Sequence, residues 1–363
     1  MLQARRHFGS FDWVLFLTAL ALPLIGLVII FSATTGTPAA SAFERQALWL
    51  GLGLLALVVV LAIDYHTLAE FSYVVYGLGI VLLILTLIFG RVVNASKSWL
   101  GVGGVQFQPS ELAKVATILM VAAYLGNERV RGLGFTNFAA LSAIVGVPVL
   151  LILQQPDLGT AMTFMPLLAG ACFMAGIRVR TLVVLALVVA LALPIVWGHL
   201  KPYQKERVMI FLEPTRDPKG AGYQLIQSLI AVGSGGVAGK GFLSGTQGQL
   251  QFLPEQHTDF ILAVLAEERG FIGSALVLAL YFIVFHRCVA TARAARDRLG
   301  SFLAMGVACV YGGQALLNIG VVLGILPTTG VPLPLMSYGG SCLMSTLIAL
   351  GLVLNVWMRR LVN

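Results

Sequence analysis

Ten apolar runs, each close to the ~20 residues that a helix needs to cross a ~30 Å hydrocarbon core, dominate this chain. They lie near 13–33, 47–63, 71–90, 111–126, 137–154, 159–176, 181–198, 269–288, 301–323 and 339–358. Inside a bilayer no water satisfies backbone N–H and C=O groups, so runs of this length are confined to helix. The expected fold class is an all-α polytopic membrane protein with about ten transmembrane helices and a large extracytoplasmic loop, 199–258, between the seventh and eighth. A composition of 58% hydrophobic and 10% charged residues excludes a soluble domain of 363 residues. With no visible repeat or interdomain linker, 1–363 reads as a single membrane domain.

An even number of spans puts both termini on one side. Alternating the loops gathers Arg5, Arg6, Arg129, Arg131, Arg178, Arg180, Arg287, Arg293, Arg296, Arg298, Arg359 and Arg360 on one face. The short loops of the other face carry Arg45, Arg91 and Lys97. Basic residues resist translocation, so this bias predicts cytoplasmic termini and an outer 199–258 loop. The net charge of +8 is then topological, and no nucleic acid is implied. The first run follows Arg5 and Arg6 and precedes Ala39-Ala40-Ser41, as a signal peptide would, but its apolar core is too long for a typical one, and an uncleaved anchor is expected. Cys172, Cys288, Cys309 and Cys342 lie in or beside spans without CxxC spacing and read as packing residues.

Ionisable groups in membrane segments are costly and point to function when they face a cavity or a partner. Glu111 and Lys114, three apart at the start of the fourth run, project from one face; they read equally as a capping ion pair, with Ser110 as N-cap, or as the lining of a substrate path. Asp157, in the short Gln155-Pro156-Asp157 turn, reads first as a helix cap. Arg45 reads as a headgroup anchor unless it converges with these residues on one cavity.

The 199–258 loop is too long for a passive connection. Its segments Tyr203 to Leu212, which holds Lys205 and Arg207, and Tyr223 to Ile230 have the spacing of short interfacial helices. Gly233 to Gly248, with Lys240, suggests a phosphate cradle yet meets neither a Walker A nor a GxGxxG pattern. Asp259 ends this loop beside His257 and Thr258 and runs into apolar sequence, with Glu267-Glu268-Arg269 beyond; the charges predict an interfacial or re-entrant helix over 259–268, for which Asp259 taken alone is an N-cap. Scattered histidines without HExxH give no zinc site. Pro327 to Ser341, including Ser337 and Tyr338, breaks helix repeatedly and is a candidate wall of a cavity.

Taken together, FQPSELAK at 107–114, QPDLGT at 155–160, GAGYQLIQS at 220–228, LPEQHTDFILAVLAEERGFIG at 253–273 and GVPLPLMSYGGS at 330–341 resemble the SEDS family (shape, elongation, division, sporulation) in order and over almost the whole chain. GTQGQLQFLPEQHTDF at 245–260 is more similar to its elongation branch than to its division branch, while Arg269 stands where an apolar or small residue is more usual. The resemblance implies a bacterial inner-membrane peptidoglycan glycosyltransferase that polymerises lipid II onto an undecaprenyl-diphosphate-linked glycan, beside a class B penicillin-binding protein. It implies that Asp259 is the essential carboxylate and that Arg45, Glu111, Lys114 and Asp157 match further family positions.

The mechanism then expected has Asp259 as general base in an inverting displacement. Lys114 and Arg45 steady the diphosphate, with Lys205, Arg207 or a divalent cation (Mg2+ or Mn2+) as helpers, and Glu111 and Asp157 orient the cations. Lys240, His257, Thr258, Ser337 and Tyr338 complete the expected substrate-binding set. The rivals are a lipid II flippase, which would need a polar path through the bilayer where Gln314 and Asn318 alone stand out, and a scaffold that recruits wall enzymes.

Overall fold

The structure is a computed structural model that describes residues 11–93, 96–102, 105–127, 133–177, 220–249 and 252–361, with isolated positions between 180 and 213. Among the described residues, seven helices are long and apolar enough to cross a membrane. They are α1 (Trp13–Thr34), α2 (Ala42–Ala62), α4 (Ser72–Phe89), α6 (Phe135–Gln154), α11 (Ile261–Ala294), α12 (Arg298–Val322) and α13 (Gly340–Arg359). The chain is thus an integral membrane protein by length and apolarity. Shorter elements are α3 (Tyr65–Glu70), α5 (Pro109–Gly126), α7 (Leu158–Met162), α8 (Met165–Met174), α9 (Ala221–Ser234) and α10 (Thr246–Gln249).

The remaining three expected spans fare differently. The 111–126 run is α5, which buries 13 of its 18 residues against α4, α6, α12 and α13 and so forms the centre of the bundle. The 159–176 run is divided into α7 and α8, the second with Pro166 in its first turn, where a missing N–H costs nothing. Most of the 181–198 run lies outside the described residues, as does most of the expected 203–212 helix, whereas the 223–230 segment falls inside α9.

Apolar helices gain no hydrophobic driving force from meeting each other in lipid, so close packing at small residues holds them together. The α2–α13 contact shows this: a Cβ added at Gly53 would stand 2.6 Å from Leu347 Cδ1. Polar networks tie the ends. At one end Asp297 caps α12 through Gly300 N (2.7 Å) and accepts from Tyr65 Oη (2.7 Å), while Arg359 Nε meets Asp64 Oδ2 at 3.1 Å.

The opposite end is built from irregular backbone. Residues 91–107 form a three-stranded antiparallel sheet of β1 (Arg91–Val93), β2 (Ser96–Val102) and β3 (Val105–Phe107), with Arg91 opposite Trp99 and Leu100 opposite Phe107. It rests on the α6–α7 turn, where Gln155 O accepts from Lys97 N at 3.1 Å. The expected interfacial or re-entrant helix over 259–268 corresponds to the first part of α11, which breaks at Gly270 (φ 64°, ψ −159°). The glycine-rich segment fills the break: Lys240 N donates to Glu267 O (3.0 Å) and Phe271 N to Gly236 O (2.9 Å). Such broken helices occur where backbone is buried in protein or lines a cavity.

Candidate functional site at the irregular end of the bundle

Asp259 lies in the turn before α11, half-buried, and Phe260 takes the N-cap position, so the helix starts one residue later than the cap reading expects. The turn is fixed from within by Asp259 N donating to Glu255 O (3.0 Å) and by Thr258 Oγ1 donating to Glu255 Oε2 (3.0 Å). It is fixed from outside by the 327–339 segment: Tyr338 N donates to His257 O (2.9 Å) and Ser337 Oγ donates to Thr258 O. The His257 and Tyr338 rings lie 5.4 Å apart. Burial lowers the His257 pKa below its ordinary value, the Glu255 charge opposing, so the ring is neutral near pH 7.

The Asp259 carboxylate looks onto Gly330, an exposed residue at φ +69°; a Cβ there would stand 3.7 Å from Asp259 Oδ2. The left-handed backbone favours glycine, and the missing side chain leaves the carboxylate uncovered on that side. The neighbouring Thr329 runs against Gly159, where a Cβ would meet Thr329 O at 2.1 Å. That close approach joins the Asp259 region to Asp157. Asp157 caps α7 as expected, accepting from Thr160 N (3.0 Å) and Thr160 Oγ1 (2.9 Å), and it also accepts from Gln108 Nε2 at 3.2 Å. Burial raises its pKa above the ordinary carboxylate value, the Thr160 bonds working the other way.

Glu111 and Lys114 form the expected ion pair at 2.8 Å, with side chains 2% and 1% exposed. Gln108, followed by Pro109, holds the N-cap position of α5 in place of the expected Ser110, which is buried in the first turn. Lys114 Nζ also donates to Gln314 Oε1 (2.6 Å), and Ser345 Oγ donates to Glu111 Oε2 (2.8 Å). The pair is therefore enclosed by α5, α12 and α13, and the expected direct contact of Lys114 with a diphosphate does not fit its burial. Ser337 is likewise 3% exposed and pins two segments together. Lys240 is paired with Glu267 at 2.6 Å, which also accepts from Thr246 and Gln247 N–H groups; that ties down the glycine-rich segment.

Arg45 is exposed one turn into α2. Its neighbour Gln46 is buried about 100° around the helix and grips the irregular segment, donating to Ser337 O (3.0 Å) and accepting from Gly339 N (3.1 Å). Arg45 thus sits at the level of the 337–339 backbone. Lys205 donates to Gly198 O at 3.3 Å, and Arg207 lies outside the described residues. Gln46 and Gln108 are working residues that the sequence does not single out, and Asn318 stands out there only as a polar residue within a span; the partners of all three lie far along the chain.

Among the described residues no three His, Cys, Asp or Glu side chains converge. A hard divalent cation takes about six oxygen ligands, and the described carboxylates do not gather into such a set, so these residues do not fit a resident metal site. What the arrangement offers is one half-buried carboxylate on a braced turn beside the exposed Gly330 backbone, with a cation, Arg45, on the helix whose Gln46 grips the 337–339 segment.

A family model described as "Cell cycle protein", FTSW_RODA_SPOVE, matches residues 12–361. The "Peptidoglycan glycosyltransferase MrdB" of Escherichia coli K12 is 40% identical, covering 96% of this chain and 94% of its own. The "Peptidoglycan glycosyltransferase RodA" of Treponema pallidum is 34% identical, covering 98% and 99%. Among solved structures, one described as "Structural coordination of polymerization and crosslinking by a peptidoglycan synthase complex" superposes with a TM-score of 0.84 at 38% identity over 97% of this chain and 99% of its own. The rod shape determining protein RodA of Thermus thermophilus gives 0.72 at 32% identity over 97% and 98%.

Proposed function

The chain belongs to the FtsW, RodA and SpoVE family of cell cycle proteins, and from that premise we propose that it is a peptidoglycan glycosyltransferase that polymerises lipid II for wall elongation and rod shape. Relatives named as such enzymes match nearly end to end. The site is read as facing outward from the bacterial inner membrane, with both termini cytoplasmic. The basic residues on the opposite face support that reading.

In this mechanism Asp259 accepts the proton of the acceptor sugar 4-hydroxyl while that oxygen attacks the anomeric carbon of the growing chain. The bond to undecaprenyl diphosphate breaks in the same displacement, so an α linkage becomes β-1,4 and one carboxylate suffices. The observation that carries it is the placement of Asp259 Oδ2 over the bare backbone of Gly330, on a turn braced by Ser337 and Asn318. Exposed Arg45 is the cation placed to meet the leaving diphosphate, and Lys205 and Arg207 are further candidates from the 199–258 loop. Asp157, His257, Thr258 and Tyr338 form the flanking walls. A class B penicillin-binding protein is the proposed partner, in keeping with a similar structure that couples polymerisation to crosslinking.

A flippase would need polar side chains free to line a path. Gln314 and Asn318 are instead 0% and 1% exposed, with their amides donated to backbone carbonyls. Reconstituted protein given labelled lipid II with a class B partner should form glycan strands and release undecaprenyl diphosphate. Headgroup translocation without strands would overturn the proposal.

A further inference from the structure

The buried Glu111–Lys114 pair and Asn318 are linked through their hold on the adjacent carbonyls of Pro332 and Val331, and Asn318 also grips the Asp259 turn. Ser345 Oγ donates to Glu111 Oε2 (2.8 Å), Glu111 Oε1 pairs with Lys114 Nζ (2.8 Å), and Lys114 donates to Gln314 Oε1 (2.6 Å). Gln314 Nε2 donates onward to Pro332 O at 2.9 Å. One turn along the same face of α12, Asn318 Nδ2 donates both hydrogens, to Val331 O (2.8 Å) and to the carbonyl of Asp259 itself (2.7 Å). All these side chains except that of Asp259 are nearly or fully buried.

Each part suits positioning better than substrate contact. Two carbonyls converge on Asn318, and its neutral amide NH2 has one hydrogen for each. Asn318 Oδ1, by contrast, is buried without a partner, so the residue bears the cost of a buried unsatisfied acceptor while holding those carbonyls. Gln314 needs its oxygen turned to a cation and its nitrogen turned to Pro332, and Lys114 imposes that orientation. Without Glu111 the Lys114 side chain would bring an uncompensated charge into this interior.

Resting on the reading of Asp259 as general base, we infer that Asn318 is a positioning residue for that carboxylate, and that Glu111 and Lys114 act through Gln314 and the 331–332 backbone rather than on the diphosphate. The carboxylate must meet a sugar hydroxyl within hydrogen-bond reach. A displacement of ~1 Å in such a group costs on the order of 10²-fold in rate.

The test measures kcat and KM for lipid II polymerisation by the full chain with its class B partner, together with lipid II binding and thermal stability. Asn318→Asp keeps the shape and turns oxygens toward both carbonyls; Ser345→Ala removes one hydroxyl at the far end of the chain of bonds. Asn318→Asp should lower kcat by on the order of 10²-fold with KM and lipid II binding within about twofold of native, the signature of an interaction that matters in the transition state. Ser345→Ala should lower kcat by a few fold with KM unchanged, and it carries the test alone if Asn318→Asp fails to fold. A raised KM with native kcat in either variant would make these residues substrate contacts and overturn the inference. Native kinetics in both, beside an inactive Asp259→Asn, would remove the inference alone; an active Asp259→Asn would remove the general-base reading and the inference with it.

Discussion

Lys114 Nζ lies 2.8 Å from Glu111 Oε1 in the middle of the bundle, with both side chains all but sealed from solvent. Breaking a buried pair leaves one uncompensated charge, which costs about 3–5 kcal/mol, whereas replacing both partners with neutral groups of similar volume is near neutral. Lys114→Met should therefore lower thermal stability in detergent sharply, and Glu111→Gln with Lys114→Met should recover most of the loss. Equal stability of the single variant and the native protein would mean that the pair is open to water.

Asp157 combines a good cap with an unfavourable charge. Asn caps as well as Asp but carries no charge to desolvate. Because the folded-state pKa is raised above 3.8, the folded protein binds the proton more readily, and the contribution of Asp157 to stability falls as pH climbs from about 3.8 through the folded-state value. At pH 7 Asp157→Asn should match or exceed native stability, while Asp157→Ala should lose about 1 kcal/mol. Thermal melts at pH 4 and 7 decide this.

His257 titrates with the opposite sign. Its folded-state pKa lies below 6.5, so as pH falls past that value the unfolded chain takes a proton before the folded one does, and stability falls. The melting temperature should drop between pH 7 and 5 less steeply in His257→Gln than in the native protein. Parallel slopes would show that the ring titrates alike in both states.

Gly159 has no room for a side chain, with Thr329 O 2.1 Å from where a Cβ would stand. Gly159→Ala has to push the 329–331 backbone away, at about 1–3 kcal/mol. That backbone carries Gly330 opposite Asp259, so polymerisation should fall along with stability. A fully active, equally stable Gly159→Ala protein would contradict the packing described here.

The membrane fold was legible because the bilayer sets one length scale: runs such as 137–154 and 301–323 correspond to α6 and α12 within a few residues. Centrality was not legible. The 111–126 run looks like any other span, and only its contacts make α5 the axis of the bundle. The β1–β3 sheet falls between apolar runs, where the bilayer's length scale says nothing, and Gly103-Gly104 is the hairpin signal that the sequence offers there. Within the site, the cap role of Asp157 and the Glu111–Lys114 pair followed from local spacing. The confinement of Lys114, the Glu267 partner of Lys240 and the double grip of Asn318 did not, since each depends on residues brought together from distant parts of the chain.

The most direct measurement is the rate of glycan strand formation by Asp259→Asn, with a class B partner, at lipid II concentrations that saturate the native protein. The amide keeps the shape and the backbone bonds of Asp259 but is a far weaker proton acceptor, and removal of a general base costs at least ~10²-fold. The account predicts near-native lipid II binding with strand formation lost. Strand formation at the native rate by that variant would contradict it.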